Sequence, residues 1–176
     1  MKTGKARQVA LLGMLFALTI AFSLIESLVT PFLGLPPGVK PGLANIVVMY
    51  SLFFLGARQA LVLVVLKSFF VLITRGVLAG ALSLAGGLSA LVVMLVIRKL
   101  LKEKTYFVVS VSGAIAHNVG QLLLLNVILT QSIYTFFYLP VLLISGLIMG
   151  TVTAATLKTI LPTLQKINFG TIEKKY

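Results

Sequence analysis

Apolar residues along this chain fall into six runs: Val9–Leu33, Leu43–Leu55, Ala60–Thr74, Val77–Leu101, Tyr106–Thr130 and Tyr134–Leu161. A helix that crosses a bilayer needs roughly 17–25 predominantly apolar residues. The first, fourth, fifth and sixth runs meet that length. The second and third are short for full spans and read as tilted or broken helices, which lipid tolerates only where they are buried against protein or line a cavity. Between the first two runs lies a proline- and glycine-rich stretch, Gly34-Leu-Pro-Pro-Gly-Val-Lys-Pro-Gly42. Gly56-Ala-Arg-Gln59 separates the second run from the third, and the segment 162–176 is polar.

Composition turns this pattern into a class. Hydrophobic residues make up 59% of the 176 positions and charged residues 10%, with a mean hydropathy of +1.12. A soluble domain carries roughly a quarter charged residues, so the solvent that suits this chain is a bilayer. The basic stretch Met1–Gln8 precedes a 25-residue apolar run with no small-residue cleavage site after it. A signal peptide has a shorter apolar core, so the first run reads as a retained helix.

Charge gives an independent check on the number of spans. The chain holds 15 Lys and Arg against three acids, Glu26, Glu103 and Glu173, for a net charge of +12. The basic residues gather at the ends of apolar runs, which is how membrane topology is encoded. This argues against a nucleic-acid partner. With the N-terminus inside and six spans alternating, the inner segments hold Lys2, Lys5, Arg7, Arg58, Arg98, Lys99, Lys102, Lys104, Lys158, Lys166, Lys174 and Lys175, and the outer segments only Lys40 and Arg75. Positive charge collects on the cytoplasmic side, so the expected architecture is an all-α bundle of six membrane helices, 1–161, with both termini cytoplasmic and a polar tail, 162–176.

Ionisable groups at membrane depth are costly unless paired or wetted, and they mark candidate sites. Glu26 sits about 10 Å below the outer end of the first helix at 1.5 Å per residue. Lys67 is near the middle of the third run, Arg75 at an outer turn and Lys40 in the first outer loop. They read either as a structural Glu26–Lys67 pair or as the lining of an outward-opening pocket whose surplus positive charge favours an anionic ligand. The fifth run is densest in hydrogen-bonding side chains: His117, Asn118 and Gln121, with Asn126 a turn later. Their three- and four-residue spacings put His117, Asn118 and Gln121 on a shared face, as a pocket wall or as interhelical glue. Small residues recur every four positions at Gly13, Ala17 and Ala21, at Ala79, Ser83 and Gly87, and at Gly146, Gly150 and Ala154. Such strips let helix backbones approach closely, within the protein or against a separate subunit.

Catalysis finds little purchase. Magnesium on a diphosphate is held by carboxylates, yet the chain has no Asp and its Glu are far apart in sequence. One His, scattered Glu and no Cys give few ligands for a metal, and there is no phosphate-cradling G-x-x-x-x-G-K-[ST] loop. No metal, no cofactor and no enzymatic activity of its own are expected.

Several local patterns resemble one small bacterial membrane family. They are Glu26, then Leu35-Pro-Pro-Gly-Val-Lys-Pro-Gly-Leu-Ala-Asn45, then Lys67 with Gly76–Gly80, Ser83-Leu-Ala-Gly-Gly87 and Ala116-His-Asn-Val-Gly-Gln121. The family is labelled heptaprenyl diphosphate synthase component I, or Gx transporter, and the resemblance extends to about Thr156. That family is similar to the substrate-binding S components of energy-coupling factor (ECF) importers. The resemblance implies a substrate-binding subunit in a bacterial cell membrane, docking through Gly13, Ala17 and Ala21 on a coupling transmembrane subunit served by two ATPase subunits. It also implies a small-molecule pocket under the first loop using Lys40, Asn45, His117, Asn118 and Gln121. The alternative is a non-catalytic accessory subunit of isoprenoid or quinone metabolism, or of a flavin- or quinone-linked electron-transfer assembly.

Overall fold

The computed structural model describes residues 5–34, 42–101 and 106–166. Six helices run through them: α1 (Lys5–Val29), α2 (Asn45–Phe54), α3 (Ala57–Arg75), α4 (Val77–Leu100), α5 (Tyr106–Leu125) and α6 (Leu139–Lys166). The protein is all-helical and multi-pass. Five of its helical stretches are long and apolar enough to cross a membrane, and α2 is the exception. At 1.5 Å per residue its 10 residues rise about 15 Å, half of a hydrocarbon core of about 30 Å.

One expectation is corrected here. α3 is not short: its 19 residues include Ala57, Arg58 and Gln59, and the polarity of the last two ended the apolar run without ending the helix. α6 continues past Pro162 to Lys166. The fifth run keeps its expected length, but its last five residues, Asn126–Thr130, form a π turn rather than α-helix. Asn126 belongs to that turn, its Oδ1 accepting from Thr130 Oγ1 and from the Ser132 amide, both at 3.1 Å. A short 3-10 helix, Ile133–Tyr138, then leads into α6.

The long helices pack antiparallel in chain order, α3 on α4, α4 on α5 and α5 on α6, and α1 lies against α3. Gly76 alone separates α3 from α4 and has φ +88°, a backbone shape that glycine adopts without strain. Small residues set the spacing of each pair, as close helix approach in lipid requires. A Cβ on Gly80 would lie 2.5 Å from Leu72 Cβ, one on Gly113 2.6 Å from Met94, and one on Gly150 2.5 Å from the Cα of Val111. The strips predicted on α4 and α6 are therefore internal: Gly87 faces Val64 of α3, and Gly146 and Gly150 face Ile115 and Val111 of α5. On α1 the outcome is opposite. Gly13, Ala17 and Ala21 are all exposed, and a Cβ on Gly13 would touch nothing within 4 Å.

α2 occupies the middle of the bundle. Its residues from Asn45 to Met49, with Ser51 and Leu52, are buried, and it touches α1, α3, α4 and α6. Val48, Met49 and Leu52 join Ala60 and Val64 of α3, Leu91 and Met94 of α4, Val109 of α5 and Leu157 of α6 in one apolar cluster. Arg98 closes the far end of α2: its Nη1 donates to the Leu52 carbonyl at 2.6 Å, and its guanidinium lies 5.2 Å from the Phe53 ring. A helix leaves its last carbonyls without internal partners, and the Arg98 cation meets one of them.

These contacts separate two glycines sharply. Gly150→Ala drives a methyl into the α5 backbone and should destabilise the protein by about 1–3 kcal/mol, the usual cost of overpacking. Gly13→Ala enters open space and should leave the thermal unfolding midpoint in detergent unchanged or slightly raised. Equal midpoints for the two variants would contradict the packing described.

Candidate functional site

The polar side chains converge where α2 begins. Gly42, Leu43 and Ala44 precede α2 and pack inside the bundle, with Ala44 fully buried and Asn45 at 6% exposure. Non-helical backbone at this depth needs partners for its N–H groups. Glu26 of α1, 1% exposed, supplies them: its Oε1 accepts from the Gly42 amide and, at 2.8 Å, from the Leu43 amide. Gly42 has φ +94°, and a Cβ there would lie 3.0 Å from Asn45 Nδ2 and 3.1 Å from His117 Cδ2. Conformation and space both select glycine.

Around this junction α3 contributes Lys67 and Ser68, α4 contributes Ser83 and Gly86, and α5 contributes His117 and Gln121. Lys67 is 5% exposed, and its Nζ donates to Asn45 Oδ1 at 3.3 Å rather than to the carboxylate. It acts on Glu26 through charge, as Arg75 also does. Arg75 sits higher, at the end of α3, where its Nη2 donates to the Ser23 carbonyl at 3.3 Å. Ser68 Oγ donates to the Val64 carbonyl at 2.8 Å and lies 3.4 Å from Ser83 Oγ. Gly86 lets α4 approach α5, since a Cβ on it would sit 2.7 Å from His117 Nδ1 and from Gln121 Cγ.

Five of the sequence-predicted site residues are thus brought together: Glu26, Asn45, Lys67, His117 and Gln121. Arg75 lies at the rim. Lys40 lies outside the described residues. Asn118 reaches toward α6, its Nδ2 donating to the Leu142 carbonyl at 2.8 Å, while its Oδ1 is buried without a hydrogen-bond partner. Adjacent residues of an α-helix point about 100° apart at 3.6 residues per turn. Asn118 therefore cannot share the direction of His117, although each lies within hydrogen-bonding spacing of Gln121. Gly42, Ser68, Ser83 and Gly86 were not named as site residues. Ser83 and Gly86 both lie in the Ser83–Gly87 motif, which was the available signal.

The cluster bounds a small cavity of about 10 Å³, lined by Ser23, Glu26, Lys67, Ser83, His117 and Gln121 among others. That is room for about one water molecule. A pocket that binds a small molecule spans roughly 300–1,000 Å³, far more than these side chains bound between them; the first loop, 35–41, under which the ligand-sized cavity is expected, lies outside the described residues. A larger groove, about 380 Å³, lies between the π turn of α5 and the start of α6, lined by Leu125, Leu129, Thr130, Tyr134, Thr135 and Tyr138. It contains none of the predicted site residues. Within the cluster Asn45 Nδ2 and His117 Nδ1 are buried without hydrogen-bond partners.

Glu26 and Lys67 depend on each other for charge balance. Removing one member of a buried pair leaves an uncompensated charge and costs about 3–5 kcal/mol. Glu26→Leu and Lys67→Met should each destabilise the protein by that order, whereas the double variant should cost much less than the sum. Additive losses in detergent unfolding would show that the two charges do not interact.

No curated protein and no solved structure matches the chain. A model of the family described as heptaprenyl diphosphate synthase component I matches residues 15–160, which include α2 to α5 entire, most of α1 and α6, and every residue of the cluster. The chain belongs to the heptaprenyl diphosphate synthase component I family.

Proposed function

We propose that this chain is a non-catalytic membrane subunit that works beside partner chains in isoprenoid or quinone metabolism, or in a flavin- or quinone-linked electron-transfer assembly. The observation that carries this reading is how closely the described polar groups are joined. Glu26, Asn45, Lys67, His117 and Gln121 hold α1, α2, α3 and α5 to one another, and the cavity that the described residues bound there, about 10 Å³, has room for about one water. The family description, component I of a synthase, names a part of an assembly. The chain has no Asp, so a magnesium-held diphosphate would find its carboxylates on a partner. The surface offered to such a partner in the membrane is the exposed strip of Gly13, Ala17 and Ala21 on α1.

A second reading rests on a different observation. Glu26, Asn45, Lys67, His117 and Gln121 come from four helices and meet where α2 begins, with Arg75 beyond them at the end of α3. The formal charges of Glu26, Lys67 and Arg75 sum to +1. That arrangement favours a small anionic metabolite and a substrate-binding subunit of an ECF-type importer, with α1 docking on a coupling subunit that two ATPases drive. Binding would require the segment before α2 to move.

Both readings place the protein in the bacterial cell membrane with both termini cytoplasmic. α2, with the backbone before it, then makes the sixth crossing. The chain has no Cys, so single cysteines report topology cleanly. Ser132→Cys should react with an impermeant maleimide from outside, and Leu101→Cys only after the membrane is opened. The partner decides the function. Affinity purification from native membranes in mild detergent should recover a soluble prenyl synthase or redox proteins, with Ala17→Leu weakening any contact made inside the membrane. Recovery of a coupling membrane subunit with two ATPases would overturn the accessory reading in favour of the importer.

A further inference from the structure

We propose that the small cavity between α1, α3, α4 and α5 is a specific hydration site, in which one water molecule bridges the Glu26 carboxylate, the Lys67 ammonium and His117 Nδ1. The inference stands apart from the choice of partner. It begins with hydrogen-bonding capacity. Glu26 Oε1 accepts two backbone N–H groups, and Lys67 Nζ, with three protons to donate, gives one at 3.3 Å to Asn45 Oδ1. His117, 1% exposed, makes no hydrogen bond of good geometry at Nδ1, although the Gly86 backbone lies beside its ring. All three side chains line the same cavity.

Size and chemistry then select the occupant. About 10 Å³ is the lower limit for a single water, and a buried water is stable where it finds two to four polar partners. Carboxylate, ammonium and imidazole provide three, and the hydroxyls of Ser23 and Ser83 and the amide of Gln121 complete a polar wall. A bare cation in that space would face Lys67. A water both donates and accepts, so it can serve the carboxylate and the ammonium together, and it turns two buried charges without a direct bond into a water-separated pair. By fixing Glu26 it also holds the amides of Gly42 and Leu43, and so the entry of the chain into α2.

The test uses the full chain in lipid nanodiscs. X-ray hydroxyl-radical labelling, read by mass spectrometry, reports side chains next to ordered water inside a protein. His117 should be labelled despite its burial, while Met94, 2% exposed in the apolar cluster, stays protected. Ser83→Val pushes methyls into the cavity and should lower His117 labelling several-fold. Ser83→Ala keeps the room and should preserve it. A density map at a resolution that orders water should show one peak within hydrogen-bond distance of Glu26, Lys67 and His117. This second measurement needs no variant and decides the case if Ser83→Val fails to fold. Protection of His117 equal to that of Met94, labelling unchanged in a folded Ser83→Val, or a map with Lys67 Nζ directly on the carboxylate and nothing between would each overturn the proposal.

Discussion

The fold depends on how the backbone just before α2 is satisfied inside the membrane. Lipid offers no hydrogen bonds, so a chain that re-enters the bundle as irregular backbone must find its partners in protein. The Glu26 carboxylate provides two of them at once, for Gly42 and Leu43. An anion placed beside N–H groups that lead into a helix is favourable on electrostatic grounds as well. From that point α2 runs for only 10 residues, and the described backbone that leads into it, Gly42 to Ala44, is non-helical. Its central position follows: a short helix exposed to lipid would leave a neighbouring irregular segment uncovered, whereas one surrounded by α1, α3, α4 and α6 does not.

Lys67 and Arg75 then have a structural reason for being where they are. A lone carboxylate at this depth would be costly, and two cations on α3 offset it. The same arrangement explains the inverted character of α1, whose buried stripe is Thr19, Ser23 and Glu26 while Val9, Met14, Leu18, Leu24 and Leu28 face outward. In water that pattern would be inside out. In lipid it means that α1 is attached through polar contacts and presents its apolar side, with the Gly13–Ala17–Ala21 strip, to whatever shares the membrane.

Much of this was legible in the sequence because hydropathy and spanning length answer to the same solvent. The six apolar runs became six helices, and Glu26, Asn45, Lys67, His117 and Gln121 did meet. What the runs could not show was depth. The shortness of the second run was visible, but whether it tilted, broke or began halfway across depended on where residues 42–44 lie in three dimensions. Arg58 and Gln59 misled by polarity: at a helix end near the interface they extend a span without adding apolar length. Spacing alone did not separate His117 from Asn118, since three and four residues from a common partner leaves two neighbours about 100° apart. The strips were equally periodic on α1, α4 and α6. Only tertiary packing could tell that Gly87 and Gly150 face helices of their own chain and Gly13 does not.

That difference bears on function more than the polar cluster does. Between helices in lipid the driving force is close packing and interhelical hydrogen bonding rather than removal of apolar surface from water. α4, α5 and α6 have used small residues for this within the chain, at Gly80, Gly87, Gly113, Gly146 and Gly150. α1 packs on α3 along one edge and keeps a smooth face open. Among the described residues, α1 therefore presents a smooth face of small residues suited to close approach of another helix. The buried charges then act as the fixings that hold α1, and so that face, at a set angle to the rest of the bundle.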